Sequence, residues 1–238
     1  MQRILALTMA AVAWLYSLLG FYQAQNVDVF LQSDDTVAVG EIGEGWLFDG
    51  PGERDALIFY PGAFVEATAY APLLHKLAAG GVDCFLVRMP LRLALFGVNK
   101  ADRLMAAYPY ERWYLAGHSL GGAMAAQYAA KHPDALSGLF LLGAYTAKDL
   151  TAVPFSVVYL YGTNDGVINR AKLEKGLLLS PLGTVTVELD GGNHAQFGSY
   201  GPQRGDGEAT ISAGEQLTQT SDAILQSIRG DAPQAAAA

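Results

Sequence analysis

A mostly parallel β-sheet covered by helices on both faces is the architecture predicted for this 238-residue chain, and three observations predict it. Short apolar runs alternate with helix-length stretches, the pattern of repeated βα units. One of these junctions, Leu115-Ala-Gly-His-Ser-Leu-Gly-Gly122, joins a strand-like run to a run of small helix formers through a glycine-rich turn. The chain is 51% hydrophobic, enough for one sizeable core, and α/β folds of this length are usually single domains.

The apolar runs place candidate strands at 36–41, 44–48, 56–60, 83–88, 112–116, 138–142, 155–161 and 184–189. Between them, helical spacing places helices at 66–79, 98–107, 119–131, 168–178 and 211–229. No internal repeat is visible, and the alanine-rich tail at 231–238 reads as a disordered end. The expected division is an N-terminal membrane or signal segment at 1–25, a catalytic domain at 26–230 and that tail.

The junction at 115–122 carries the chemistry. In the pattern Gly-x-Ser-x-Gly, the serine occupies a strained strand-to-helix turn, and a Cβ at Gly117 or Gly121 would collide with neighbouring backbone. Ser119 is therefore the candidate nucleophile. The same turn opens a helix, so the unpaired N–H of Leu120 points toward the place where an oxyanion would develop. A hydroxyl needs a base to take its proton, and the base needs an acid partner. Asp165, in the loop after the strand ending Tyr159-Leu160-Tyr161, supplies the acid, and His194, after Gly191-Gly192-Asn193, supplies the base. The chain order Ser119, Asp165, His194 is that of α/β-hydrolases, and neither that of chymotrypsin nor that of subtilisin.

The second oxyanion donor is expected after the strand at 56–60, in Pro61-Gly62-Ala63-Phe64, with the N–H of Ala63 as first choice and that of Phe64 as second. Asp190 and Asp149 are rival acids, although Asp165 occupies the position that the triad template uses. His75 and His132 lie on or at the end of helices and read as structural. His118 is expected to pack beneath the turn. Glu66, Met89, Arg92, Gln196 and Tyr200 are further candidates for lining the pocket.

Taken together, Phe59-Tyr-Pro-Gly-Ala63, Ala69-Tyr-Ala-Pro-Leu73, Gly117-His-Ser-Leu-Gly-Gly-Ala-Met-Ala125, Tyr161-Gly-Thr-Asn-Asp-Gly166 and the stretch from Gly191 to Gln203 resemble the bacterial small α/β-hydrolase family. The resemblance covers roughly residues 35 to 228. It implies a lid-poor hydrolase, often preceded by a membrane-spanning or signal segment, with Ser119, Asp165 and His194 as nucleophile, acid and base. Dienelactone hydrolases are more distantly similar and use cysteine as nucleophile, where this chain has Ser119. The activity so implied is hydrolysis of an ester or thioester of a small acyl substrate through an acyl-enzyme (EC 3.1.1). A non-catalytic binding or scaffold protein on the same fold is the competing class.

Only Ala144 to Pro154 separate the sixth and seventh candidate strands, too few residues for a lid domain, so short acyl groups and an open site are expected. Any cover must come from the loop at 195–208, through Phe197 and Tyr200, or from the segment Pro90 to Val98. At the N-terminus, Ile4 to Tyr22 are 19 uncharged positions, about 28 Å as a helix and close to a bilayer core. Lys and Arg are absent between Arg3 and Arg54, while Asp28, Asp34, Asp35 and Glu41 follow the span. That bias keeps the amino end in the cytoplasm and sends the catalytic domain across, as an anchor or after signal cleavage. A formal charge of −8 argues against nucleic acid as a partner. The lone Cys84 reads as a small buried hydrophobe, and with no cofactor fingerprint or zinc spacing, neither cofactor nor metal is expected.

Overall fold

The computed structural model describes residues 21–230. Eight strands form one sheet: β1 (Ala38–Ile42), β2 (Gly45–Asp49), β3 (Asp55–Tyr60), β4 (Asp83–Val87), β5 (Arg112–His118), β6 (Gly138–Leu142), β7 (Ser156–Gly162) and β8 (Val185–Leu189). Their spatial order is β1-β2-β4-β3-β5-β6-β7-β8. The hairpin β1–β2 joins antiparallel at one edge, and every pairing from β4 to β8 is parallel. Each strand differs from its sequence expectation by two residues or fewer at either end.

Alternation along the strands splits the core into two layers. Leu57 and Phe59 of β3 face one layer, beneath α1 (Ala71–Ala79) and α5 (Ala213–Arg229). Ala56, Ile58 and Tyr60 face the other, beneath α2 (Lys100–Ala107), α3 (Leu120–Lys131) and α4 (Arg170–Leu178). Being buried on both faces is why the central strands are continuous apolar runs.

The helices correct the expected boundaries where a cap decides them. The stretch 66–79 is a short 3₁₀ turn, Ala67–Tyr70, followed by α1, because Pro72 near the start of α1 has no N–H to continue a helix through it. Asn169 caps α4 through Lys172 N, and Ser212 and Glu215 form a reciprocal capping box on α5, so both helices start two residues later than expected. Ser119 lies outside α3, whose first residue is Leu120.

Residues 1–20 and the tail 231–238 lie outside the described residues, and with them nearly all of the apolar span. Its last two positions belong to the domain: Phe21 meets Phe64 edge to face at 5.9 Å, and Tyr22 bridges Val65 through Tyr22 N to Phe64 O (3.1 Å) and Glu66 N to Tyr22 O (2.8 Å). Phe21 and Tyr22, which the sequence places in the N-terminal segment, thus contact the loop after β3. No helix among the described residues is long and apolar enough to cross a membrane.

Candidate active site

In this parallel sheet, the carboxyl ends of β3, β5, β6, β7 and β8 share one edge, and each candidate residue follows one of those ends. Ser119 follows β5 at φ 54°, ψ −122°, a conformation that costs a non-glycine residue about 1–3 kcal/mol. Packing holds it there. A Cβ on Gly121 would lie 2.0 Å from Tyr60 O, and one on Gly117 would lie 2.5 Å from Gly121 C, so backbone meets backbone at both glycines. Ser119 N donates to Leu142 O at 2.9 Å, tying the turn to β6.

Asp165 is buried in the loop after β7. Its Oδ1 accepts from Val167 N (2.9 Å) and Ile168 N (2.8 Å), which fixes the carboxylate and leaves Oδ2 for His194 Nδ1 at 2.8 Å. A carboxylate accepts, so Nδ1 carries a proton, and the neutral imidazole in that tautomer has its lone pair on Nε2. His194 Nε2 is buried and has no hydrogen-bond partner among the described residues. Asp190 accepts from Thr163 Oγ1 and Asp149 from Thr151. Among the described residues, neither rival acid hydrogen-bonds to the His194 ring, whose Nδ1 is paired with Asp165.

On the oxyanion side, the amides of Leu120 and Ala63 have no acceptor among the described residues. The second choice, Phe64, is excluded, because its N–H donates to Arg92 O at 2.9 Å.

Two side chains absent from the sequence expectation brace the site. Asp206 accepts from four main-chain amides, Gly166 (3.1 Å), His194 (3.2 Å), Gly207 (2.9 Å) and Ala195 (2.8 Å), clamping the loop that carries His194 against the loop that carries Asp165. Tyr70 Oη accepts from Gly62 N (3.1 Å) and pairs with His118 Nδ1 (2.7 Å), bracing the Ala63 loop. The only sequence signal for Asp206 was its place between two glycines, and Tyr70 was marked only by its place in the segment Ala69-Tyr-Ala-Pro-Leu73 that carries the family resemblance.

His118 is buried beneath the turn as expected, but it does more than fill space: its ring lies 4.4 Å from that of His194. Burial, reinforced by the neighbouring His194, holds its imidazole well below the ordinary range and therefore neutral. His75 pairs with Asp34 and His132 stacks on Tyr128, both structural. Cys84 is buried and its thiol is pushed up by burial.

The expected cover is corrected. Phe197 and Tyr200 are buried in the core, with the Phe197 ring 5.6 Å from that of His118, rather than free to fold over the site. Met89 is likewise buried, and Glu66 accepts from Ala24 N. Gln196 lines a separate cavity of about 760 Å³ with Gln25, Gln203 and Glu208, and neither Ser119 nor Ala63 reaches it. Arg92 lies over the Phe21 ring. No cluster of three metal-ligating side chains occurs among the described residues.

This fold and site define an α/β-hydrolase. Residues 56–218 match the alpha/beta hydrolase family, and the chain belongs to it. Among solved structures it is similar to a dienelactone hydrolase from Anabaena variabilis, with 16% identity and a TM-score of 0.59 over 84% of this chain and 99% of that one. A predicted CIB-like hydrolase from Thermoplasma acidophilum aligns with 12% identity and a TM-score of 0.56 over 80% of this chain and 99% of that one. No curated protein matches the sequence.

Proposed function

We propose that the protein hydrolyses carboxylic esters or thioesters by an acyl-enzyme route, with Ser119 as nucleophile, His194 as base and Asp165 as the acid that orients it. The observations that carry this reading are the strained backbone of Ser119 at the end of β5 and a buried His194 whose Nδ1 is held by Asp165 and whose Nε2 has no hydrogen-bond partner among the described residues. In the reaction, Nε2 takes the Ser119 proton as Oγ attacks the carbonyl carbon. The Leu120 and Ala63 amides stabilise the oxyanion, and the imidazolium returns its proton to the departing alcohol or thiol. Water, activated by the same nitrogen, then releases the acid and restores Ser119.

The uncharged stretch ahead of the domain, with its acidic downstream flank, supports a membrane anchor and catalysis outside the cytoplasm. The expected substrate is an acyl ester, with no cofactor. Labelling by a fluorophosphonate tests the site: a single adduct on Ser119, with loss of p-nitrophenyl ester turnover, is the expected result. Unlabelled protein that still turns over esters would place the nucleophile elsewhere.

A further inference from the structure

Three of the large apolar side chains that the domain leaves exposed fall within six residues of one another: Leu91 (58% exposed), Leu95 (55%) and Phe96 (57%). They occupy the segment after β4, at the same edge of the sheet as Ser119, and the turn Ala94–Phe96 packs against α3, the helix that Ser119 introduces. The segment is held in an unfavourable shape. Leu91 and Arg92 both have positive φ (53° and 54°), and Arg92 O takes the Phe64 amide, so the exposed ridge is hydrogen-bonded to the loop that carries Ala63.

The same piece also holds the start of the described chain. Tyr22 pairs with Phe64 and Glu66, Ala24 N donates to Glu66 Oε2 at 3.0 Å, and the Arg92 guanidinium lies 5.4 Å from the Phe21 ring and reaches Gln23. Phe21 directly follows the 17 uncharged residues Ile4–Gly20, so no slack separates that stretch from the wall of the active site. A bilayer span needs roughly 17 to 25 residues. An anchor joined there brings the catalytic edge, ridge first, against the surface it emerges from.

We propose that this edge is a membrane-docking face: Leu91, Leu95 and Phe96 enter the leaflet from which the N-terminal segment emerges, and the substrate is an acyl ester whose chain stays in that leaflet. This rests on the anchor and ester-hydrolase readings above. The bilayer then provides the apolar cover that the short β6–β7 connection does not, which replaces the short, water-borne ester suggested by the sequence.

The test uses the full-length protein in phosphatidylcholine vesicles, spin-labelled at Phe96→Cys or, as a control at the opposite edge of the sheet, at Leu182→Cys. Buried Cys84 leaves each label unique. The expected result is a label at 96 relaxed by oxygen and shielded from a water-soluble nickel chelate, a label at 182 with the reverse preference, and fastest turnover of p-nitrophenyl esters with decanoyl or longer chains. A protein retained by the vesicles and active, but with residue 96 as nickel-accessible as residue 182 or with a rate maximum at acetyl, overturns this inference alone. Release of the protein by a carbonate wash overturns the anchor reading and the inference with it, and absence of turnover on every ester overturns the hydrolase reading beneath both.

Discussion

Gly143 is the residue at which backbone and catalytic geometry meet most directly. It follows β6 at φ +51°, anchored by Gly143 N to Leu160 O at 2.8 Å. An added Cβ would lie 2.9 Å from His194 Nδ1, 3.1 Å from its Cε1 and 3.3 Å from Asp165 Oδ2. Gly143→Ala therefore carries two costs. The left-handed backbone costs an alanine about 1–2 kcal/mol. The methyl also wedges against the His194–Asp165 pair, and the ring has little room to retreat, since His118 stands 4.4 Å behind it. Overpacking of this kind adds about 1–3 kcal/mol, for a total of about 2–5 kcal/mol and a fall in Tm of roughly 5 to 15 °C. Because a misplacement of about 1 Å costs on the order of 10²-fold in rate, kcat/KM for a p-nitrophenyl ester should drop about 10- to 100-fold. Gly183→Ala is the control: its φ is +89°, but no atom lies within 4 Å of the added Cβ, so it carries only the backbone cost. If Gly143→Ala lost no more kcat/KM than Gly183→Ala, the steric reasoning about the His194–Asp165 pair would be wrong.

Ser119→Ala should keep its fold and lose on the order of 10⁴-fold or more in kcat, checked by ester turnover beside circular dichroism. Asp165→Asn should lower kcat by about 10³- to 10⁴-fold through the wrong imidazole tautomer, and equal damage from Asp190→Asn or Asp149→Asn would move the acid there. Asp206→Ala strands four amides and should cost about 2–4 kcal/mol, read from urea midpoints, together with a measurable loss of kcat; an unchanged midpoint would show that the clamp contributes nothing. His118 gives a pH dependence: its folded value is depressed, so the unfolded chain binds a proton that the folded one refuses. The stability it contributes is complete above the unfolded value of about 6.5 and declines as pH falls below it. His118→Asn should flatten the loss of urea stability between about pH 7.5 and pH 5, and an identical loss in the variant would remove His118 as the cause.

The strands and the serine turn were legible because their signals are local. A strand buried on both faces is apolar at every position, and Gly117-His-Ser-Leu-Gly121 carries its steric requirement within five residues. What was not legible depends on distant partners. Asp206 meets Gly166 across 40 residues and Tyr70 meets His118 across 48, and no local pattern marks either pairing. The loop at 195–208 misled for a related reason. Its glycines suggest a mobile cover, yet Ser199 N to Ala69 O (2.7 Å) and Gln25 N to Ser199 O (2.8 Å) fasten it, and Phe197 and Tyr200 fill the core instead.

The two amides proposed for the oxyanion illustrate how long-range contact turns separate motifs into one device. Leu120 and Ala63 lie 57 residues apart in sequence, on different loops, and a shift of either by a fraction of an ångström would spoil a shared acceptor position. Their spacing is fixed one residue away from each. Gly121, adjacent to Leu120, lies so close to Tyr60 and Pro61 that a Cβ would sit 2.0 Å and 2.4 Å from their carbonyl oxygens, while Gly62, adjacent to Ala63, is held by Tyr70 Oη. Tyr70 is in turn paired with His118, which packs on His194. The proposed donor pair and base are thus joined by one continuous run of contacts, from Gly121 and Tyr60 through Gly62, Tyr70 and His118 to His194.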